Sequence, residues 1–228
     1  MKRMLWSAPI LGIVIACAPA AGFAAEGNVP LKHPNITMDQ KTLREGLQVF
    51  VDVCMGCHSA KYVTYGDLMR YPEIALPRQQ VDDLRGNKSL LDGLTTDLTP
   101  ADAKVSYGKV PPDLSVITRS RQGADYVYSI LTGFAHDPEG RIPDGHYNIY
   151  FPGNNIAMPD PLTWFQHDPA DEKSIEEQAR SVSSFLAFIS EPHQLQRESL
   201  GRYVIAFLVL LTAVLWWLKR EIWKDVQH

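Results

Sequence analysis

Two thiols and an imidazole stand together in this chain, at Cys54-Met55-Gly56-Cys57-His58. Thiols one helical turn apart can each add across a vinyl group of a porphyrin, and the His directly after them can bind its iron. C-x-x-C-H is therefore the attachment signature of a c-type haem. A haem iron with both axial positions filled exchanges single electrons and does little else. C-x-x-C alone also serves dithiol redox centres and half-sites for zinc. A structural zinc site needs two further ligands at short spacing, and the only other cysteine is Cys17, inside a leader-like segment. A thioredoxin-like pair belongs after a strand in a βαβ pattern, and none surrounds 54–58. Neither alternative calls for a His directly after the second Cys. The reading is one covalently attached haem c on Cys54 and Cys57, with His58 on the iron.

The second axial ligand has to come from elsewhere in the chain. Met158 stands out because it ends a stiff loop, Tyr150-Phe151-Pro152-Gly153-Asn154-Asn155-Ile156-Ala157-Met158-Pro159. Pro152 and Pro159 lower the entropy lost in holding a thioether on iron, and Tyr150 and Phe151 can wall the ring. Met38, near a helix start, Met55, inside the attachment turn, and Met69, at a loop entrance, are the other thioethers. His136 and His146 lie among Asp, Pro and Gly, where a His is ordinarily solvent-exposed.

Helical elements must position these groups. Leu43, Leu47, Phe50 and Cys54 recur at helical spacing, which predicts a helix from Asp39, a plausible N-cap, into the attachment motif. Gly46 on or near that stripe lowers helix propensity, so the pattern predicts close approach by a second helix. Ile175, Ala179, Val182, Leu186 and Ile189, with Phe185 beside them, predict a helix over about 173–190, stopped by Pro192. Tyr126, Val127, Ile130 and Leu131 predict a third over about 124–132. Prolines and glycines scattered through 72–161 imply long ordered loops, and continuous strand alternation is absent. The expected fold is all-α, like a class I c-type cytochrome, with long ordered loops and one C-terminal transmembrane helix.

The ends indicate the compartment. Lys2 and Arg3, an apolar run from Leu5 to Ala16 and small residues through Ala25 read as a secretory signal over 1–25. Val14-Ile15-Ala16-Cys17 loosely fits a lipoprotein processing site too, a reading weakened by the anchor at the other end. Tyr203 to Leu218 is uncharged, with Thr212 its one polar residue, and predicts a membrane span over about 201–219. Trp216, Trp217 and Trp223 suit an interfacial belt, and Lys219, Arg220 and Lys224 put the 220–228 tail in the cytoplasm. Residues 26–200 would then form one exported, periplasmic haem domain on a bacterial inner membrane. With the leader removed only Cys54 and Cys57 remain, so no disulfide is left to stabilise it. From 26 to 201 there are 24 acidic against 16 basic residues, a net charge near −8. That sign disfavours nucleic-acid binding and suits either solubility or steering of a basic partner.

Beyond the attachment motif, several blocks occur in a familiar order. They are Gly46-Leu47-Gln48-Val49-Phe50, Tyr62-Val63-Thr64-Tyr65 and Pro111-Pro112-Asp113-Leu114-Ser115 with Arg119-Ser120-Arg121. After them come Asp125-Tyr126-Val127-Tyr128-Ser129-Ile130-Leu131-Thr132-Gly133, the Tyr150–Met158 loop and the single C-terminal span. In these the sequence resembles the cytochrome c1 family, the haem subunits of ubiquinol–cytochrome c reductase (cytochrome bc1) complexes. The resemblance implies thioether bonds at Cys54 and Cys57, axial ligation by His58 and Met158, and a Pro111 carbonyl against the His58 ring. It also implies that Arg121 and Tyr126 meet a haem propionate. The implied partners are cytochrome b, a Rieske iron–sulfur subunit as electron donor and cytochrome c as acceptor. The chain itself would break no bond, since quinol oxidation belongs to the assembled complex. Between Met69 and Gly108 little matches the family. An anchored monohaem cytochrome of another oxidase or dehydrogenase is the near alternative, and a membrane-tethered dithiol oxidoreductase the alternative of a different class.

Overall fold

A computed structural model of the chain describes residues 29–140, 142, 145–164 and 174–225. The leader and most of the acidic run from Asp168 lie outside the described residues.

Helix α1 (Gln40–Val49) starts where the sequence predicts. Asp39 caps it: its carboxylate accepts the Thr42 N–H at 3.0 Å and the Thr42 hydroxyl at 2.7 Å. Leu43, Gly46 and Leu47 form its buried stripe. The helix does not run regularly into the attachment motif. From Phe50 to Cys54 the turns widen to π geometry, closed by Met55 N–H donating to the Phe50 carbonyl at 2.7 Å. Such an extra residue re-aims the next turn of chain, and π segments concentrate at functional sites.

The expected partner of Gly46 is α8 (Ile175–Ser190), which packs along α1. A Cβ on Gly46 would sit 2.0 Å from the Ser181 carbonyl oxygen and 2.7 Å from the Phe185 Cβ, so only glycine admits this crossing. Phe50 and Phe185, both fully buried, meet across the seam with centroids 5.6 Å apart. Ser174 caps α8 in a reciprocal capping box with Glu177.

Short elements surround this pair. They are β1 (Ala60–Thr64), α2 (Asp67–Arg70), α3 (Arg78–Arg85), β2 (Gly93–Leu94), α4 (Pro100–Tyr107), α5 (Ile117–Ser120), α6 (Gly123–Leu131), β3 (His146–Tyr147), β4 (Asn155–Ile156) and α7 (Pro161–Trp164). Strands β1 and β2 pair antiparallel, as do β3 and β4. Met69, expected at a loop entrance, lies on α2 and packs against the main core. The all-α expectation holds: helices dominate, and both sheets are two-stranded fragments.

Past the break at Glu191-Pro192-His193, α9 (Gln194–Ile222) runs for 29 residues. That is about 43 Å at 1.5 Å per residue, ample for a bilayer core of about 30 Å. Residues Gln196–Ile222 are long and apolar enough to cross a membrane, with none of the span buried in the protein. The helix starts nine residues before the uncharged run, because its first turns are polar ones. There Arg197 and Arg119 of α5 both pair with Glu191, the latter at 3.0 Å.

Candidate haem site

The attachment turn is built on backbone bonds. Cys57 and His58 N–H both donate to the Cys54 carbonyl, at 3.1 and 2.8 Å, which stacks the two half-buried thiols on successive turns. Burial, and then the neighbouring Cys57, push the Cys54 thiol up to about 12. A dithiol redox centre needs the opposite, a thiolate stabilised near neutral pH. Among the described residues no three His, Cys, Asp or Glu side chains converge as a zinc centre requires.

The His58 ring is held in place by a backbone carbonyl. Its Nδ1 lies 2.8 Å from the Pro112 carbonyl oxygen. A carbonyl only accepts, so Nδ1 carries the proton and the Nε2 lone pair is left for a metal. Burial lowers the His58 pKa, against the opposing pull of the Pro112 carbonyl and Asp113. The neutral form is the one these surroundings favour.

The resemblance had implied the Pro111 carbonyl here, and the structure corrects it to Pro112. The register of the neighbouring backbone decides between them. Leu114 N–H donates to the Ser59 carbonyl at 2.7 Å, Asp113 accepts from Lys61 N–H at 3.1 Å, and the buried Ser115 hydroxyl accepts from Tyr62 N–H at 3.1 Å. Residues 113–115 thus run beside 59–62, which leaves the carbonyl just before Asp113 facing the ring. Two consecutive prolines look alike in sequence, and only this docking separates them.

Arg121 and Tyr126 come together. Arg121 caps the C-terminal end of α5, Tyr126 lies in the first turn of α6, and the guanidinium carbon stands 5.8 Å from the Tyr126 ring centroid. Tyr126 also packs against both hydrophobic clusters formed by the described residues, the large one, on which Cys54 and Met55 pack too, and a small one of Ile130, Tyr150 and Ile156.

Met158 packs on that small cluster, as do Tyr126 and Phe151. Its loop is stiff for more reasons than two prolines. The β3–β4 pairing closes it, and the fully buried Asn148 side chain donates to the Ile130 carbonyl at 2.8 Å while accepting from Tyr150 N–H at 3.1 Å. Asn154, at φ 59°, donates to the Asn148 and Ile149 carbonyls at 3.2 and 3.3 Å. Met38, Met55 and Met69 all pack against the large cluster instead. His136 is exposed and His146 is tied into β3.

Sequence reasoning missed Ser59, Thr96, Tyr107 and Pro112. Thr96 donates to the Gly56 carbonyl at 2.9 Å, and the Tyr107 hydroxyl lies 3.8 Å from the Cys57 sulfur. Thr96 and Tyr107 come from the unmatched 69–108 stretch, while Ser59 and Pro112 lie in or beside the motif blocks but act through a small hydroxyl and a backbone carbonyl that residue type does not mark.

Paired thiols on one turn beside a neutral imidazole whose Nδ1 is tied to a carbonyl fit a haem. On a small helical domain followed by one helix long and apolar enough to cross a membrane, these groups fit a membrane-anchored haem protein. The comparisons narrow the class. The Cytochrome C1 family model matches residues 30–226, and the chain belongs to that family, which carries haem. It is similar to cytochrome c1 of Allochromatium vinosum, with 36% identity over 95% of this chain and 98% of that protein. Cytochrome c1 of Rhodospirillum rubrum is 32% identical over 100% of this chain and 98% of its own. The cytochrome b/c1 protein of Bradyrhizobium diazoefficiens is 30% identical over 82% of this chain and 34% of its own length.

Proposed function

We propose that the chain is the haem subunit of a cytochrome bc1 complex, taking one electron at a time from the complex's iron–sulfur subunit and passing it to a cytochrome c. The observation that carries this reading is the His58 Nδ1–Pro112 bond on a C-x-x-C-H turn. It leaves Nε2 as a fixed, neutral donor beside two stacked thiols. A haem bound here supplies a one-electron couple, which His/Met ligation moves toward higher potential.

The chain's own residues do the rest. Cys54 and Cys57 would hold the group covalently, so it cannot leave during turnover. The Pro112 carbonyl would keep the His58 ring from rotating and strengthen it as a donor. The Asn148 hairpin would present Met158 without an entropy loss on binding. Arg121 would meet a propionate as a charge-assisted pair, with Tyr126 beneath it. None of these groups moves a proton or breaks a bond, so catalysis remains a property of the assembled complex with cytochrome b.

Residues 26–200 would lie in the periplasm, with 1–25 removed, 201–219 in the membrane and 220–228 in the cytoplasm. The charge near −8 on the exported part suits a basic acceptor.

Full-length protein purified from membranes tests the reading. Its haem should stay on the band in denaturing electrophoresis, a quinol-oxidising cytochrome b should co-purify, and Met158→Leu should abolish the weak thioether–iron band of the ferric form. Haem extractable by acid acetone, or that band surviving in Met158→Leu, would overturn the attachment or the ligation respectively. Purification with an oxidase or dehydrogenase instead of cytochrome b would favour the other anchored cytochrome.

A further inference from the structure

The Cys57-His58 pair is gripped on both flanks by one residue of the stretch that no motif explains. Strand β2 pairs with β1 through Ala60 opposite Leu94. Gly93 allows this approach: a Cβ there would fall 2.4 Å from the Lys61 carbonyl oxygen. Continuing the Ala60–Leu94 register two residues beyond β2 brings Thr96 alongside His58. There the Thr96 hydroxyl meets the Gly56 carbonyl at 2.9 Å, and Thr96 N–H meets the Ser59 hydroxyl oxygen at 3.1 Å. The Thr96 oxygen also accepts from Leu98 N–H at 3.1 Å, which occupies a lone pair and leaves its single proton directed at Gly56. Gly56 and Ser59 bracket Cys57 and His58.

We infer that Thr96 is a positioning residue for the axial histidine, fixing the backbone on both sides of His58 while the Pro112 carbonyl fixes its ring. The bonds of Cys57 and His58 N–H to the Cys54 carbonyl and of Leu114 N–H to the Ser59 carbonyl hold this turn, and the two Thr96 bonds add one anchor on each flank of the Cys57-His58 pair. The inference rests on the reading of His58 as the iron ligand, and it gives the 93–98 segment a role in setting the potential. Outer partners that orient a ligating His raise its donor strength and so favour the oxidised metal. Loosening that orientation should favour the reduced form.

The test uses full-length, haem-loaded protein as wild type, Thr96→Val and Thr96→Ser. Midpoint potential, the highest ferric EPR g value and thermal unfolding are measured on each. Thr96→Val keeps the shape and loses the hydroxyl. It should raise the reduced-to-oxidised ratio at fixed ambient potential roughly two- to threefold, a small share of the 10–100-fold reach of outer-shell partners, and shift the g value. Thr96→Ser keeps the hydroxyl and should restore both. A lower unfolding temperature with unchanged potential and g value would make Thr96 merely structural and overturn the inference. So would Thr96→Ser behaving like Thr96→Val. If Thr96→Val is not recovered with haem, Ser59→Ala removes the other anchor and should shift the potential in the same direction; no shift there overturns the inference. A wild type without a low-spin haem signal would sink the ligand reading and the inference together, whereas a low-spin wild type with an indifferent Thr96→Val sinks the inference alone.

Discussion

The α1–α8 seam and the face that would carry the haem are held together in different ways. The seam is apolar, continuous and written in two helical stripes; Leu43, Phe50, Val182 and Phe185 are all fully buried in it. The surroundings of the attachment turn and of Met158 are assembled from segments that carry little apolar periodicity. Residues 93–98, 112–121 and 146–158 are joined to the attachment turn and to α6 by hydrogen bonds that each use one named atom. Hydrophobic burial is non-directional and tolerates modest shifts, so it serves as the frame. Hydrogen bonds fix distance and angle, and an unmade buried one costs more than a made one contributes, so they serve where an atom must be aimed.

That contrast can be broken at the seam first. Gly46→Ala places a methyl 2.0 Å from the Ser181 carbonyl, against backbone that cannot rotate away. We expect a loss of about 3 kcal/mol, near the upper end for overpacking. Denaturant unfolding measures it, and the ferric spectrum of the protein still folded should match wild type. A changed spectrum would show that the seam also tunes the site.

At the Met158 loop, Asn148→Ala leaves Tyr150 N–H without its partner and the Ile130 carbonyl with the 3.3 Å bond from Gly133 N–H. We expect a smaller loss of about 2 kcal/mol, the cost of an unsatisfied buried group and a lost hydrogen bond. It should also leave a signature at the site: the thioether–iron band should fade at a lower temperature than the helical circular-dichroism signal. If the two fade together, the Met158 loop is not a separately held unit.

The smallest effect concerns the start of the frame. The Thr42 N–H, then the Thr42 and Thr37 hydroxyls, hold the Asp39 carboxyl at about 2, below its ordinary 3.8. A carboxyl depressed on folding contributes stability that is complete above its unfolded pKa and is lost as pH falls through the folded one. The window therefore runs from about pH 4 down to about pH 2. Asp39→Asn keeps a capping oxygen without a titrating group, and its unfolding temperature should fall less steeply across that window. Parallel acid profiles for the two proteins would refute the assignment.

The sequence by itself determined the haem-carrying family, the two long helices and the long apolar C-terminal helix. Each depends on spacing along one segment: a step of three residues from thiol to thiol, steps of three to four between core positions, a run of uncharged residues. Asp39 as a cap and Gly46 as a crossing point were legible for the same reason, since caps and tight approaches demand particular residue types. Only the tertiary structure decided which proline carbonyl meets His58, that Thr96 and Tyr107 border the attachment turn, and that Asn148 holds the Met158 loop. These contacts join residues 18 to 54 positions apart and use backbone groups or small hydroxyls that occur everywhere in a chain. The π widening at Phe50–Cys54 is of the same kind. Apolar spacing specifies which face of a helix is buried, whereas strand register and loop docking specify which atoms of the other segments arrive there.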